Sequence, residues 1–67
     1  MMQQINNLRK VRQAMLLGKT ELARLSGLSL LTIHRIEKGM SCRMDTQRKI
    51  LIAMGIKFSQ KHRVFKQ

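Results

Sequence analysis

Glu21-Leu22-Ala23-Arg24-Leu25-Ser26-Gly27-Leu28-Ser29-Leu30-Leu31-Thr32-Ile33-His34-Arg35-Ile36-Glu37-Lys38-Gly39 is the stretch on which the fold turns. Its spacing predicts two short amphipathic helices joined at Gly27. Ala23 is small where two crossing helices would press their backbones together. Gly27 stands where the chain must turn sharply, a place that favours a residue without a Cβ. Ile33, together with Leu22, Leu28 and Ile36, supplies the apolar face that would hold the pair at a fixed angle. The constellation carries more information than any one of these residues.

The rest of the chain reads outward from that pair. A first helix is expected over residues 4–15, with Ile5, Leu8, Val11, Arg12 and Met15 at helical spacing on one side. The second is expected over 19–26, and Gly18 and Thr20 both qualify as its cap. Ser29 is a good N-cap for a third helix over 29–38, closed by Gly39. A fourth is expected to start near Asp45, an acid suited to a helix N-terminus, and to stop at Gly55. Its inward face would hold Ile50, Ala53 and Met54, with Ile56 after the turn. Residues 57–67 form a basic tail in which Ser59 is placed to cap one more turn and Phe58, Val64 and Phe65 to pack back on the body; fraying is the alternative. The pattern implies a single all-α domain over 1–67, a bundle of four to five helices with a core over 5–56.

Composition narrows the function classes. A chain of 67 residues has room for one small core, and 43% hydrophobic content without Pro, Trp or Tyr favours a compact helical domain. The single Cys42 cannot form an internal disulfide, and with no secretion signal in view a reducing cytoplasm is the expected location. No apolar run approaches the ~20 residues of a membrane span. Fourteen Lys and Arg against three acids give a formal charge of +11. Such a field attracts a polyanion, nucleic acid first and an anionic membrane surface second. A membrane-active peptide would be one long basic amphipathic helix, whereas Gly18, Gly27, Gly39 and Gly55 punctuate this chain. Binders of single-stranded RNA usually supply stacking aromatics, and only Phe58 and Phe65 are present.

Two helices joined as those around Gly27 form a helix-turn-helix, whose second helix is built to enter a DNA major groove. With Ile33 and Ile36 inward, Leu30, Leu31, His34, Arg35 and Lys38 fall on the opposite side. Arg35 is the best candidate base reader, because a guanidinium can contact guanine O6 and N7 together. Contact with phosphate, or a solvent ion pair, is its plainer alternative. His34 is placed for a base edge or a phosphate, or stands unengaged. Leu30 and Leu31 suit thymine methyl groups, or else pack against a partner or the end of the second helix. Lys19 lies at the N-terminus of the second helix, where free N–H groups and the helix dipole favour a phosphate, and Ser29, the N-cap of the third, is a further phosphate candidate.

Residues 5–56 resemble the lambda-repressor-like domain of the Cro and phage-repressor (XRE) family. The matching stretches are Leu8-Arg9-Lys10-Val11-Arg12, Glu21-Leu22-Ala23, Gly27-Leu28-Ser29, Thr32-Ile33, Arg35-Ile36-Glu37-Lys38-Gly39, Lys49-Ile50 and Ala53-Met54-Gly55-Ile56. The resemblance implies a bundle of four or five helices, binding to double-stranded DNA and usually a two-fold dimer. It also implies phosphate contacts from Lys38 and Arg43 and an ion pair between Arg12 and Glu37, a structural tether between the first and third helices. Three positions depart from the family: Lys19 replaces a frequent Gln, Leu30 and Leu31 stand where polar base readers are common, and Gln47 replaces a core Leu.

Catalysis is not expected. Glu21, Glu37 and Asp45 are too few and too scattered for paired-carboxylate chemistry. Cys42 with His34 or His62 lacks the sequence context of a thiol nucleophile and the spacing of a zinc site, so neither metal nor cofactor is implied. The six Met residues suit core filling. The sequence therefore reads as a transcriptional regulator that binds double-stranded DNA, self-associates weakly and has no membrane role. The alternatives are an antitoxin-type partner of a toxin and a cationic RNA- or membrane-binding protein. Leu51 and Ile52, surplus to the inward face of the fourth helix, and the tail around Val64 and Phe65 are the expected self-association surface.

Overall fold

Four α-helices follow one another in the computed structural model, which describes residues 6–65. They are α1 (Leu8–Ala14), α2 (Lys19–Ser26), α3 (Leu30–Glu37) and α4 (Met44–Ala53), followed by a 3₁₀ segment, Phe58–Arg63, that is broken at Gln60. No strand forms among the described residues, and the all-α class read from the sequence holds. Gln4 and Ile5, expected in the first helix, and Lys66 of the tail lie outside the described residues.

The α2–α3 pair forms as its local chemistry dictates. Gly18 is the N-cap of α2, and Glu21 in the first turn complements the helix dipole. Gly27 ends the helix at φ 72°, and two hydrogen bonds close the turn: Gly27 N–H donates to the Arg24 carbonyl at 3.3 Å and Leu28 N–H to the Ala23 carbonyl at 3.0 Å. A Cβ on Gly27 would meet nothing within 4 Å, so the glycine answers to backbone conformation and not to space. The same pair of bonds ends α1, but there the left-handed residue is Leu16, at φ 59° and 90% exposed. An exposed leucine in that conformation is strained by roughly 1–2 kcal/mol. Ser29 caps α3: its Oγ accepts from the Thr32 N–H at 3.1 Å.

The core collects Leu8, Leu22, Ala23, Ile33, Ile36, Ile50, Leu51, Met54, Ile56, Val64 and Phe65, with α2 packed on both α3 and α4. Three expectations need correction. First, α1 starts at Leu8 because Asn6 organises the backbone before it. The Asn6 Oδ1 accepts from the Leu8 N–H at 3.0 Å, and its Nδ2 donates to the Ile36 carbonyl at 2.9 Å. Met15, past the end of α1, is exposed.

Second, α4 starts at Met44 with Arg43 as N-cap, and its buried stripe is Gln47, Ile50, Leu51 and Met54. Leu51 therefore belongs to the core, Ala53 is only half-buried, and Ile52 alone of the surplus pair points outward at 71% exposure. Third, Val64 and Phe65 are buried within the chain and cannot supply an association surface. Asn7 N–H donates to the Val64 carbonyl, and Asn6 and Phe65 form an isolated antiparallel bridge, so the two ends of the described chain are tied together. Ser59 caps nothing; Lys57 holds the cap position of the 3₁₀ segment.

Candidate nucleic-acid interface

Burying Ile33 and Ile36 decides what α3 offers to solvent. With a residue every 100° or so around the axis, the opposite face carries Leu30 and Leu31, 47% and 54% exposed, and Arg35, with Lys38 at the C-cap. All four lie outward as expected. His34 lies at the side of that face and is half-buried. It is not unengaged, because its Nδ1 is 3.2 Å from the Lys19 Nζ. Lys19, His34, Leu30 and Leu31 line one shallow, mostly apolar cleft.

Behind that cleft runs a chain of charge through three helices. Arg12 of α1 is buried, and its Nε donates to Glu37 Oε2 at 2.6 Å while Nη2 donates to Oε1 at 3.3 Å. The fork is bidentate and nearly dry, with side-chain exposures of 8% and 4%. Arg12 Nη1 donates to the Leu17 carbonyl at 2.8 Å, fastening the α1–α2 connection to the same guanidinium. Lys19 at the start of α2 reaches the other side of Glu37, with 4.0 Å between Nζ and Oε1. One carboxylate thus gathers a cation from α1 and a cation from α2 onto the end of α3. The geometry places Arg12 and Glu37 together as the resemblance implied.

On the far side of α3 lies a groove of about 580 Å³, lined by Arg35, Arg43, Thr32, Ser41, Cys42 and Thr46 with Ile36 and Met40 at its floor and edge. Two exposed guanidinium groups and three hydroxyls make this a cationic concavity with a mixed polar and apolar lining. Arg43 reaches it because it is the N-cap of α4, so the first N–H groups of that helix open nearby. Lys38 is exposed at the C-cap of α3, and the Ser29 oxygen is engaged in the cap at the other end.

Neither protein-family models, nor curated proteins, nor solved structures gave a match to this chain. Its site is therefore read from its own residues.

Sequence reasoning missed three of its features. The Lys19–His34 contact joins positions far apart in the chain, and no local spacing announces it. Thr32, Ser41 and Thr46 enter the groove only once the α3–α4 connection is folded; each alone is an ordinary surface hydroxyl. Gln47, which stands in place of a core Leu, is buried, and its side chain lies beside the Cys42 thiol. Burial pushes the Cys42 thiol above its ordinary range, and the Gln47 side chain offsets this only in part. Because the thiolate is the nucleophile, alkylation by iodoacetamide at neutral pH is expected to be several-fold slower for the folded chain than in urea. Equal rates would show that the thiol is not desolvated.

Proposed function

We propose that this chain is a sequence-specific regulator that binds double-stranded DNA by laying α3 in the major groove. The observation that carries the reading is the outward face of α3. It offers Arg35 with Leu30, Leu31 and His34 on a helix held rigidly by α2 and by the Arg12–Glu37 fork, in a chain of charge +11. With its side chains an α-helix is about 10–12 Å across, which fits a major groove about 12 Å wide. Arg35 supplies base contacts, and the two leucines meet thymine methyl groups.

Phosphates on either side are taken by Lys38 and Arg43 and by the helix starts at Lys19 and Ser29. Lys19 has three N–H donors and needs one for His34, so it has donors left for a phosphate. The Cro and phage-repressor resemblance points the same way. Selection of bound sequences from a random duplex pool tests the reading: enrichment of a common motif is expected, and recovery of the starting pool would sink it.

Weak two-fold association fits this mode of binding, since paired copies read paired half-sites. The apolar groove that remains open is lined by Arg48, Leu51, Ile52, Ile56 and Phe58. Arg48 and Lys61 each lie 5.5 Å from the centre of the Phe58 ring, so the patch is rimmed by positive charge. Two such patches repel as they meet, and salt screens that repulsion. Sedimentation in the absence of DNA is therefore expected to show self-association that strengthens with salt, the reverse of DNA binding, and that Ile52→Lys abolishes. A monomer at every salt concentration, with single half-sites protected on DNA, would remove the dimer from the proposal.

A further inference from the structure

The contact between Lys19 and His34 fixes more than a distance. A lysine ammonium carries three donors and no acceptor, so a hydrogen bond across 3.2 Å to His34 Nδ1 has one possible direction: Lys19 donates and Nδ1 accepts. A neutral imidazole has a single N–H, and with Nδ1 occupied as an acceptor that proton resides on Nε2. The ammonium cannot swing away freely, because Glu37 Oε1 stands 4.0 Å from it, and Glu37 is held in turn by the Arg12 fork. Among the described residues Nε2 has no hydrogen-bond partner within the chain. The ring lines the same cleft as Leu30 and Leu31, beside the outward face of α3.

We propose that Lys19 is a positioning residue that makes His34 a dedicated hydrogen-bond donor, and that His34 thereby reads an acceptor on a base edge. The inference rests on the DNA-binding reading above and names the chemistry of one contact within it. A group that donates only favours guanine, whose major-groove edge presents the acceptors N7 and O6. It opposes cytosine, which presents the N4 amino donor there. Without Lys19 the imidazole is free to carry its proton on either nitrogen, and the discrimination disappears even though the ring is still present. The buried fork thus reaches the recognition face through two intervening contacts, from Arg12 to Glu37, to Lys19, to His34.

Two measurements test the proposal. Long-range proton–nitrogen spectra of the histidine rings are recorded on the free, full-length chain in alkaline buffer, where imidazole is neutral, with His62→Gln used to assign the signals. The wild type is expected to show Nδ1 unprotonated and Nε2 protonated. Lys19→Met is expected to drift toward a tautomer mixture, and Lys19→Arg, which keeps a donor, to return to the wild-type pattern. A protonated Nδ1 in the wild type, or spectra indifferent to Lys19→Met, overturns the proposal.

The second measurement uses a selected duplex in which guanine and cytosine are exchanged one position at a time. The wild type and Lys19→Arg should prefer guanine over cytosine by roughly five- to tenfold at one position. His34→Ala and Lys19→Met should lose that preference there alone. Taking the ratio at one position cancels any phosphate contact that Lys19 also makes, because that contact weakens all sequences alike. A preference that survives in His34→Ala or in Lys19→Met overturns the inference. If no duplex is bound in preference to random DNA, the functional reading and the recognition half fall together, while the ring spectra still decide the tautomer.

Discussion

Glu37→Ala is expected to destabilise the fold by about 3–5 kcal/mol, the cost of leaving a buried charge without its partner. Arg12 is 7% exposed and makes its two shortest side-chain bonds to Glu37 and to the Leu17 carbonyl. Removing the carboxylate leaves the guanidinium enclosed with a single carbonyl for company, and also leaves the Lys19 ammonium without its anion. A domain of this size holds only about 3–5 kcal/mol in all, so the variant should lack a cooperative melt at room temperature. Asp45→Ala is the contrast. Its side chain is 75% exposed and 3.8 Å from Lys49, one turn along the same helix, and its loss should cost about 0.3–1 kcal/mol.

A third variant separates charge burial from packing. Arg12→Met combined with Glu37→Leu removes both charges and should recover most of the loss, since an apolar pair of similar volume commonly replaces a buried ion pair without penalty. Urea melts of the three proteins check the set. Equal midpoints for Glu37→Ala and Asp45→Ala would falsify the tether.

What could be read from the sequence in this fold was what local chemistry decides. The α2 limits, the left-handed turn at Gly27 and the Ser29 cap each depend on a few neighbouring residues, and the structure has them as expected. The errors came where partners lie far away in the chain. The face that α4 buries is set by α2 and by the returning tail, so the stripe falls on Gln47, Ile50, Leu51 and Met54 rather than on the Ala53 side. The tail itself is ordered by pairing with Asn6 and Asn7, which a reading of the tail alone cannot supply. Two adjacent asparagines before an amphipathic run were nonetheless a legible helix-start signal. Of the candidate site, the outward set on α3 was legible from periodicity. The contact of Lys19 with His34 and the hydroxyl-lined groove were not, because both depend on how three separate segments meet.

Arg35→Ala is expected to separate specificity from affinity in the proposed complex. Arg35 is exposed and points into the groove beside α3. A bidentate contact from it to guanine would be worth roughly 1–3 kcal/mol at a preferred site and much less on unrelated DNA. Lys38 and Arg43 should behave in the opposite way. Both are exposed, Lys38 at the C-cap of α3 and Arg43 at the N-cap of α4, and each change to Ala should weaken binding to every sequence alike. Each should also lower the slope of log affinity against log salt by about 0.9, the release of one counterion. Leu30→Ala and Leu31→Ala carry no charge, so the salt slope should stay where it is while preference for thymine relaxes at one position. Binding isotherms on a selected and a random duplex, at several salt concentrations, distinguish these behaviours. The decisive comparison is the ratio between the two duplexes. If Arg35→Ala weakens both equally and lowers the salt slope as Lys38→Ala does, Arg35 holds phosphate. The reading of base identity would then have to come from His34 and the two leucines, farther round the same exposed face of the helix.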